Sequence, residues 1–168
     1  LSAAWLDDPA RLGEEVLEIE MTRNRPDCLS VYGIAREVAA LFSGELAPPP
    51  GREPREPGAE TPDVTIEDHE GCPRYIGRLF RNVGIATSPP WLKARVTAAG
   101  MRPISNVVDV TNYVMLALGN PLHAFDFDTL RGGRIVVRRA RKGEEFTTLD
   151  GAPRTPDPED LVIADAEG

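Results

Sequence analysis

The chain has 168 residues, 41% of them hydrophobic and 27% charged, with a formal net charge of −8. That composition is ordinary for a folded globular chain and allows one sizeable core, while no apolar run reaches the about eighteen residues of a membrane span. The acidic balance argues against gripping nucleic acid over the whole surface, because that kind of binding rests on cations set against phosphate.

The charge is uneven: residues 1–70 hold 6 basic and 16 acidic side chains, and residues 71–168 hold 13 and 11. Arg138, Arg139, Arg141 and Lys142 cluster in the second part. Such a run can face phosphate, but more often it is a solvated strand edge protected from aggregation. Leu1 stands where a methionine would begin a chain, no secretory leader opens the sequence, and the last strand-like run stops at Asp165. We therefore expect a piece of something longer.

VLEIEM (16–21) alternates Leu17, Ile19 and Met21 with Glu18 and Glu20, the period of a half-buried strand. TRNRPDC follows as a loop, since Asn24 and Pro26 favour turns. SVYGIAREVAALF (30–42) sets Val31, Ile34, Ala35, Val38 and Phe42 on one helical face, with Ser30 as N-cap and Gly44 as C-cap. LAPPPGREPREPGAETP (46–62) has six prolines and two glycines. It cannot bury enough surface to offset its ordering entropy, so an extended, mobile connector is expected. The reading divides the chain into a small module end (1–45), a linker (46–61) and a second domain (62–168).

Beyond the linker, DVTIED and RYIGRLFRNVGI read as strands. SPPWLKARVTAAG (88–100) reads as a helix with Ser88 as cap, proline in the first turn and Gly100 as stop. NVVDVTNYVMLAL (106–118) is long for a strand and reads as a helix. Asn106 serves its start and Gly119 its end, with Val107, Val110, Val114 and Leu118 on one face. Gly119-Asn120-Pro121 then launches LHAFD as a strand. RIVVRRA, EEFTTL and LVIAD follow as strands, with Asp150-Gly151 as a tight-turn pair. The fold class is α+β, a mixed sheet with short helices packed on it.

The chemistry in these elements is sparse. Cys28 and Cys72 have no metal-type spacing, and His69 three residues before Cys72 is too little for a zinc site. Two unpatterned cysteines suit a reducing compartment. Asp109, Asn112 and His123 interrupt an apolar run, yet taken alone each reads as a surface or satisfied structural group. No nucleophile triad, phosphate loop or carboxylate pair emerges.

Four stretches in order change this reading: NRPDCLSVYGIAREVAAL (24–41), CPRYIGR (72–78), MRPISNVVDVTNYVMLALGNPLHAFD (101–126) and RTPDPEDLVIAD (154–165). Together they resemble the β subunit of bacterial phenylalanyl-tRNA synthetase from about residue 16 onward, the linker excepted. One departure is Arg23, where that family commonly has proline.

The resemblance implies the end of an N-terminal structural module followed by the first, incomplete part of an editing domain. In that family the editing domain hydrolyses tyrosine wrongly esterified to tRNA(Phe). The positions carried over are Arg102, Asn112 and His123 as catalytic residues and Pro121 as a substrate-binding residue, with no metal. The implied partners are the α subunit, in an α2β2 assembly, and tRNA(Phe), in the cytoplasm and without a membrane. ATP and magnesium are implied for the whole enzyme through the α subunit, and no cofactor for this chain. The family completes its pocket with a glycine-rich segment and a glutamate after a stretch like LVIADAEG, so the chain alone is expected to be inactive. A tRNA-docking module with a decayed editing site is the alternative.

Overall fold

The computed structural model describes residues 16, 18–49, 51, 60–148 and 151–167. The chain divides into two compact units. One joins the described residues up to 51 with Val83–Ala124 and contains the α-helices; the other joins residues 60–82 with Phe125 onward and contains the strands. The result is a mixed α and β architecture.

In the helical unit, α1 runs Val31–Leu41. Ser30 is extended, and its hydroxyl accepts the Gly33 N–H at 3.0 Å, as its N-cap position predicts. Gly33 is buried because the turn Pro26–Cys28 passes close by, and a Cβ there would overlap the Asp27 carbonyl oxygen. The C-terminal end corrects the sequence reading. Phe42 is the cap, Ser43 takes the left-handed position at φ 53°, and the Gly44 N–H returns to the Ala39 carbonyl at 2.8 Å. Gly44 thus closes the motif one residue beyond the strained position.

Helix α2 (Pro90–Ala98) is capped by Pro89 rather than by Ser88, whose hydroxyl is directed inward. Its end follows expectation. Gly100 has φ 80° and donates to Thr97, while the Met101 N–H reaches Val96, so a left-handed glycine stops the helix. Helix α3 (Asn106–Leu118) is capped by Ser105, not Asn106, and Gly119 ends it at φ 82°. Asn106 serves that start as expected, its side chain accepting the Val107 N–H at 2.9 Å, and it also accepts the Ala86 N–H at 3.1 Å and donates to the Gly84 carbonyl at 2.9 Å. It thereby fastens the strandless segment 84–86 to the start of the helix.

α3 packs against both α1 and α2. Leu92 and Val96 of α2 are buried, each contributing about 1.5–3 kcal/mol of hydrophobic stabilisation. Trp91 meets Tyr113 edge to face with ring centroids 5.5 Å apart. The valine stripe expected to seat α3 is not its buried feature, since Val110 is 47% exposed and only Asp109 is fully buried.

In the sheet unit, β1 (Asp63–Ile66), β2 (Arg134–Arg139) and β5 (Leu161–Ala164) form a three-stranded sheet in the order β1-β2-β5. β1 runs parallel to β2 with Val64 opposite Ile135, and β5 runs antiparallel with Ile163 opposite Val137. Ile135, Val136 and Val137 are all buried, as the central position requires. Phe146–Thr147 (β3) and Pro153–Arg154 (β4) make a short antiparallel pair. Each outer strand of the three-stranded sheet has one edge unpaired among the described residues.

Three expected strands do not form among the described residues. Residues 16 and 18–21, 74–85 and 122–126 have no regular structure. Alternation marks an extended, two-faced segment, but a strand also requires a partner edge. In 74–85 there is a local cause as well. Asn82 takes φ 58°, and Arg81 turns to Glu60 at 2.9 Å while lying 4.8 Å over the Phe127 ring. The expected connector lies partly outside the described residues, as does Asp150 of the predicted turn; its partner Gly151 has φ 80°.

The basic cluster is also corrected. β2 is central, not an edge, and Arg138 is 4% exposed. Its guanidinium forms a bidentate pair with Glu144 at 2.7 and 2.9 Å. Arg139 bonds Asp68 and the Glu159 carbonyl. Those two cations are committed inside the unit, leaving Arg141 and Lys142 exposed at the following turn.

Candidate functional site

The four predicted site residues all fall in the helical unit, spread along α3 and its flanks. Arg102 is exposed in the loop between α2 and α3. Asn112 is half-buried midway along α3. Pro121 and His123 are exposed in the segment beyond Gly119. A helix of 13 residues is about 20 Å long. Arg102 and His123 therefore start from opposite ends of that length, and α3 alone does not bring them together. His123 is exposed rather than packed in a core.

The N-terminal end of this site is built tightly. Asp109 is 0% exposed, and its carboxylate accepts the Ser88 hydroxyl at 2.5 Å and the Ile104 N–H at 2.8 Å. Its own N–H donates to Ser105 at 2.8 Å, continuing the cap of α3. A buried carboxylate with neutral donors on both oxygens is hydrogen-bonded as burial demands. The sequence reading left Asp109 as structural and made Ser88 a helix cap. The signal for their pairing was a lone acid inside a valine run, but the donor stands 21 residues away and could not be named.

The C-terminal end is built differently. Gly119 supplies the left-handed residue, its N–H donating to Met115 at 2.8 Å, and the chain leaves the helix abruptly. Asn120, Pro121, Leu122 and His123 then run exposed. Proline fixes φ two residues before His123, which limits the directions that the histidine can take.

A second cluster was not anticipated. Acidic and sulfur atoms of Asp27, Cys28 and Glu37 lie within 4.8 Å of one another. Arg25 occupies their centre, donating to Asp27 at 2.9 Å, Cys28 at 3.2 Å and Glu37 at 3.2 Å. This guanidinium holds the Asp27 carboxyl down to about 2, whereas burial pushes the Cys28 thiol up. The cation of the cluster is thus an arginine, and the group fastens the turn Pro26–Cys28 to α1.

Comparison with known proteins follows the same outline. Residues 71–168 match the model of the B3/4 domain, a span that includes α2, α3 and all four predicted site residues. The chain is 54% identical over 159 residues to the phenylalanine–tRNA ligase beta subunit of Moorella thermoacetica, covering 92% of this chain and 20% of that one. It is 51% identical over 162 residues to the beta subunit of Geobacter metallireducens, covering 95% and 20%. Against that of Nitratidesulfovibrio vulgaris it is 47% identical over 167 residues, covering 98% and 21%. The chain spans about a fifth of the length of these curated relatives. Through the match over residues 71–168, this chain belongs to the B3/4 domain family.

Proposed function

We propose that the chain is part of a phenylalanine–tRNA ligase β subunit and forms one wall of a site that hydrolyses tyrosine wrongly esterified to tRNA(Phe). The observation that supports this is the roughly half identity to such subunits along more than nine-tenths of the chain, including the whole stretch from Arg102 to His123. The chemical need is clear. An apolar pocket shaped for phenylalanine cannot strongly reject the same ring bearing a hydroxyl, so fidelity calls for a second, hydrolytic site.

On this reading the ligand is elongated: a terminal phosphate, a ribose and an esterified amino acid in series. Such a ligand suits residues distributed along a helix of about 20 Å. Arg102 would hold phosphate or ribose oxygens as a charged donor. Asn112 offers both a donor and an acceptor for orienting the ester. His123 would place the attacking water or the leaving ribose hydroxyl, with Pro121 directing its approach. The chemistry asks for water and no cofactor in this chain. The partners on this reading are the α subunit, in an α2β2 assembly that carries out the ATP- and magnesium-dependent charging, and tRNA(Phe), all in the cytoplasm. No helix among the described residues is long and apolar enough to cross a membrane.

The test uses the full-length subunit assembled with its α partner. Wild type should release tyrosine from mischarged tRNA(Phe), and His123→Ala should slow release about a hundredfold while phenylalanine charging persists. Unchanged release in the variant removes His123 from the role. A wild type that charges phenylalanine but releases no tyrosine selects the docking module with a decayed site.

A further inference from the structure

The loop that carries Arg102 is tied on both sides. Upstream, the Met101 N–H closes α2 by donating to Val96 at 3.1 Å. Pro103 restricts the chain just after Arg102. Downstream, the Ile104 N–H donates to Asp109 Oδ1 at 2.8 Å, and the second oxygen of the same carboxylate accepts the Ser88 hydroxyl at 2.5 Å. One buried side chain therefore joins the segment entering α2, the end of the Arg102 loop and the first turn of α3.

Helix capping does not require this arrangement, because Ser105 already caps α3 by accepting the Val108 N–H. What Asp109 adds is the bond back to Ile104, two residues from Arg102. Placement errors of about 1 Å in groups that hold a substrate are enough to cost large factors in rate.

We propose that Asp109 is a positioning residue for Arg102 in the ester-hydrolysing site, an inference that rests on the reading of that site given above. The carboxylate suits the task because both of its oxygens accept, matching one backbone N–H and one hydroxyl at once. An amide could still accept from Ile104 while donating to a rotated Ser88 hydroxyl, so Asp109→Asn should be the conservative rescue.

The experiment is a double-substitution cycle in the full-length subunit with its α partner, reading kcat and KM for tyrosine release alongside phenylalanine charging. Asp109→Ala should lower kcat for release about tenfold or more, with charging within about twofold, and Asp109→Asn should stay within about threefold of wild type. In an Arg102→Ala background, Asp109→Ala should add less than about twofold, because the residue being positioned is already gone. If Asp109→Ala fails to assemble, Ser88→Ala removes one anchor and retains the carboxylate. Its expected loss of about threefold should likewise vanish in the Arg102→Ala background. Losses that multiply independently with Arg102→Ala overturn the inference and leave the proposed reaction standing. A wild type that releases no tyrosine overturns both.

Discussion

Asp109 and Arg138 are both buried charges, one in each compact unit, and they are satisfied in different ways. Asp109 is 0% exposed and accepts from a hydroxyl and a backbone N–H, both neutral. Arg138 is 4% exposed and is paired with a charge of opposite sign, Glu144. The sheet unit thus neutralises its buried cation internally, and Arg139 is committed to Asp68. The helical unit instead uses its buried acid as a junction for backbone, next to exposed groups suited to chemistry. Half of the basic run in the sequence is therefore spent on pairs within the sheet unit, and the lone acid in an apolar run is spent on joining neighbouring segments.

The largest effect that would sharpen this contrast comes from breaking the charged pair. Glu144→Ala leaves the Arg138 guanidinium buried without its partner and should destabilise the sheet unit by about 3 kcal/mol. The readout is faster amide exchange in β2 of the full-length subunit, with α3 unaffected. Acid should do the same reversibly. Arg138, with help from the Arg141 N–H, lowers the Glu144 carboxyl from 4.5 to about 2. Its contribution is then complete above the unfolded value near 4.5 and is lost as pH falls through about 2. β2 exchange, corrected for its intrinsic pH dependence, should rise across that window in wild type. Glu144→Gln should reduce the dependence, leaving the smaller part that Asp68 contributes through Arg139, and an unchanged profile in that variant would place the acid response elsewhere.

A smaller effect tests the helical unit. Gly119→Ala forces a Cβ into a left-handed residue at φ 82° and should cost about 1 kcal/mol, seen as faster exchange in the last turn of α3. Space is not the cause, because the nearest atom to that Cβ is the Ser30 Cβ at an ordinary 3.5 Å. The first turn of α3, held by Ser105 and Asp109, should keep its protection. Loss of protection along the whole helix would break the contrast between its two ends.

Local signals in the sequence were legible where they depend on neighbours along the chain. Ser30, Gly100 and Gly119 cap helices at their expected places, and β1, β2 and β5 lie within the runs rich in β-branched residues. What escaped depends on distant partners. The runs 16–21, 74–85 and 122–126 have the residue types of strands, but pairing, not pattern, makes a strand. Ser88 and Asn106 both read as helix caps. Tertiary partners claimed the Ser88 hydroxyl and much of the Asn106 amide: Asp109 for the first, Gly84 and Ala86 for the second. The candidate site was reached by resemblance rather than by spacing, since Arg102, Asn112 and His123 follow no catalytic pattern on their own. The folded chain adds the bonds of Asp109 to Ile104 and Ser88.

On the proposed reading, the two ends of α3, one tied and one exposed, serve a single ligand. The direct measurement is amide exchange across residues 101–126 in the full-length subunit with its α partner, with and without a tRNA(Phe) carrying tyrosine through a non-hydrolysable amide. Strong new protection is expected in residues 119–126 around His123, with little change at Ile104, which is already bonded to Asp109. Protection confined to other parts of the subunit, with 119–126 exchanging as before, would contradict that reading.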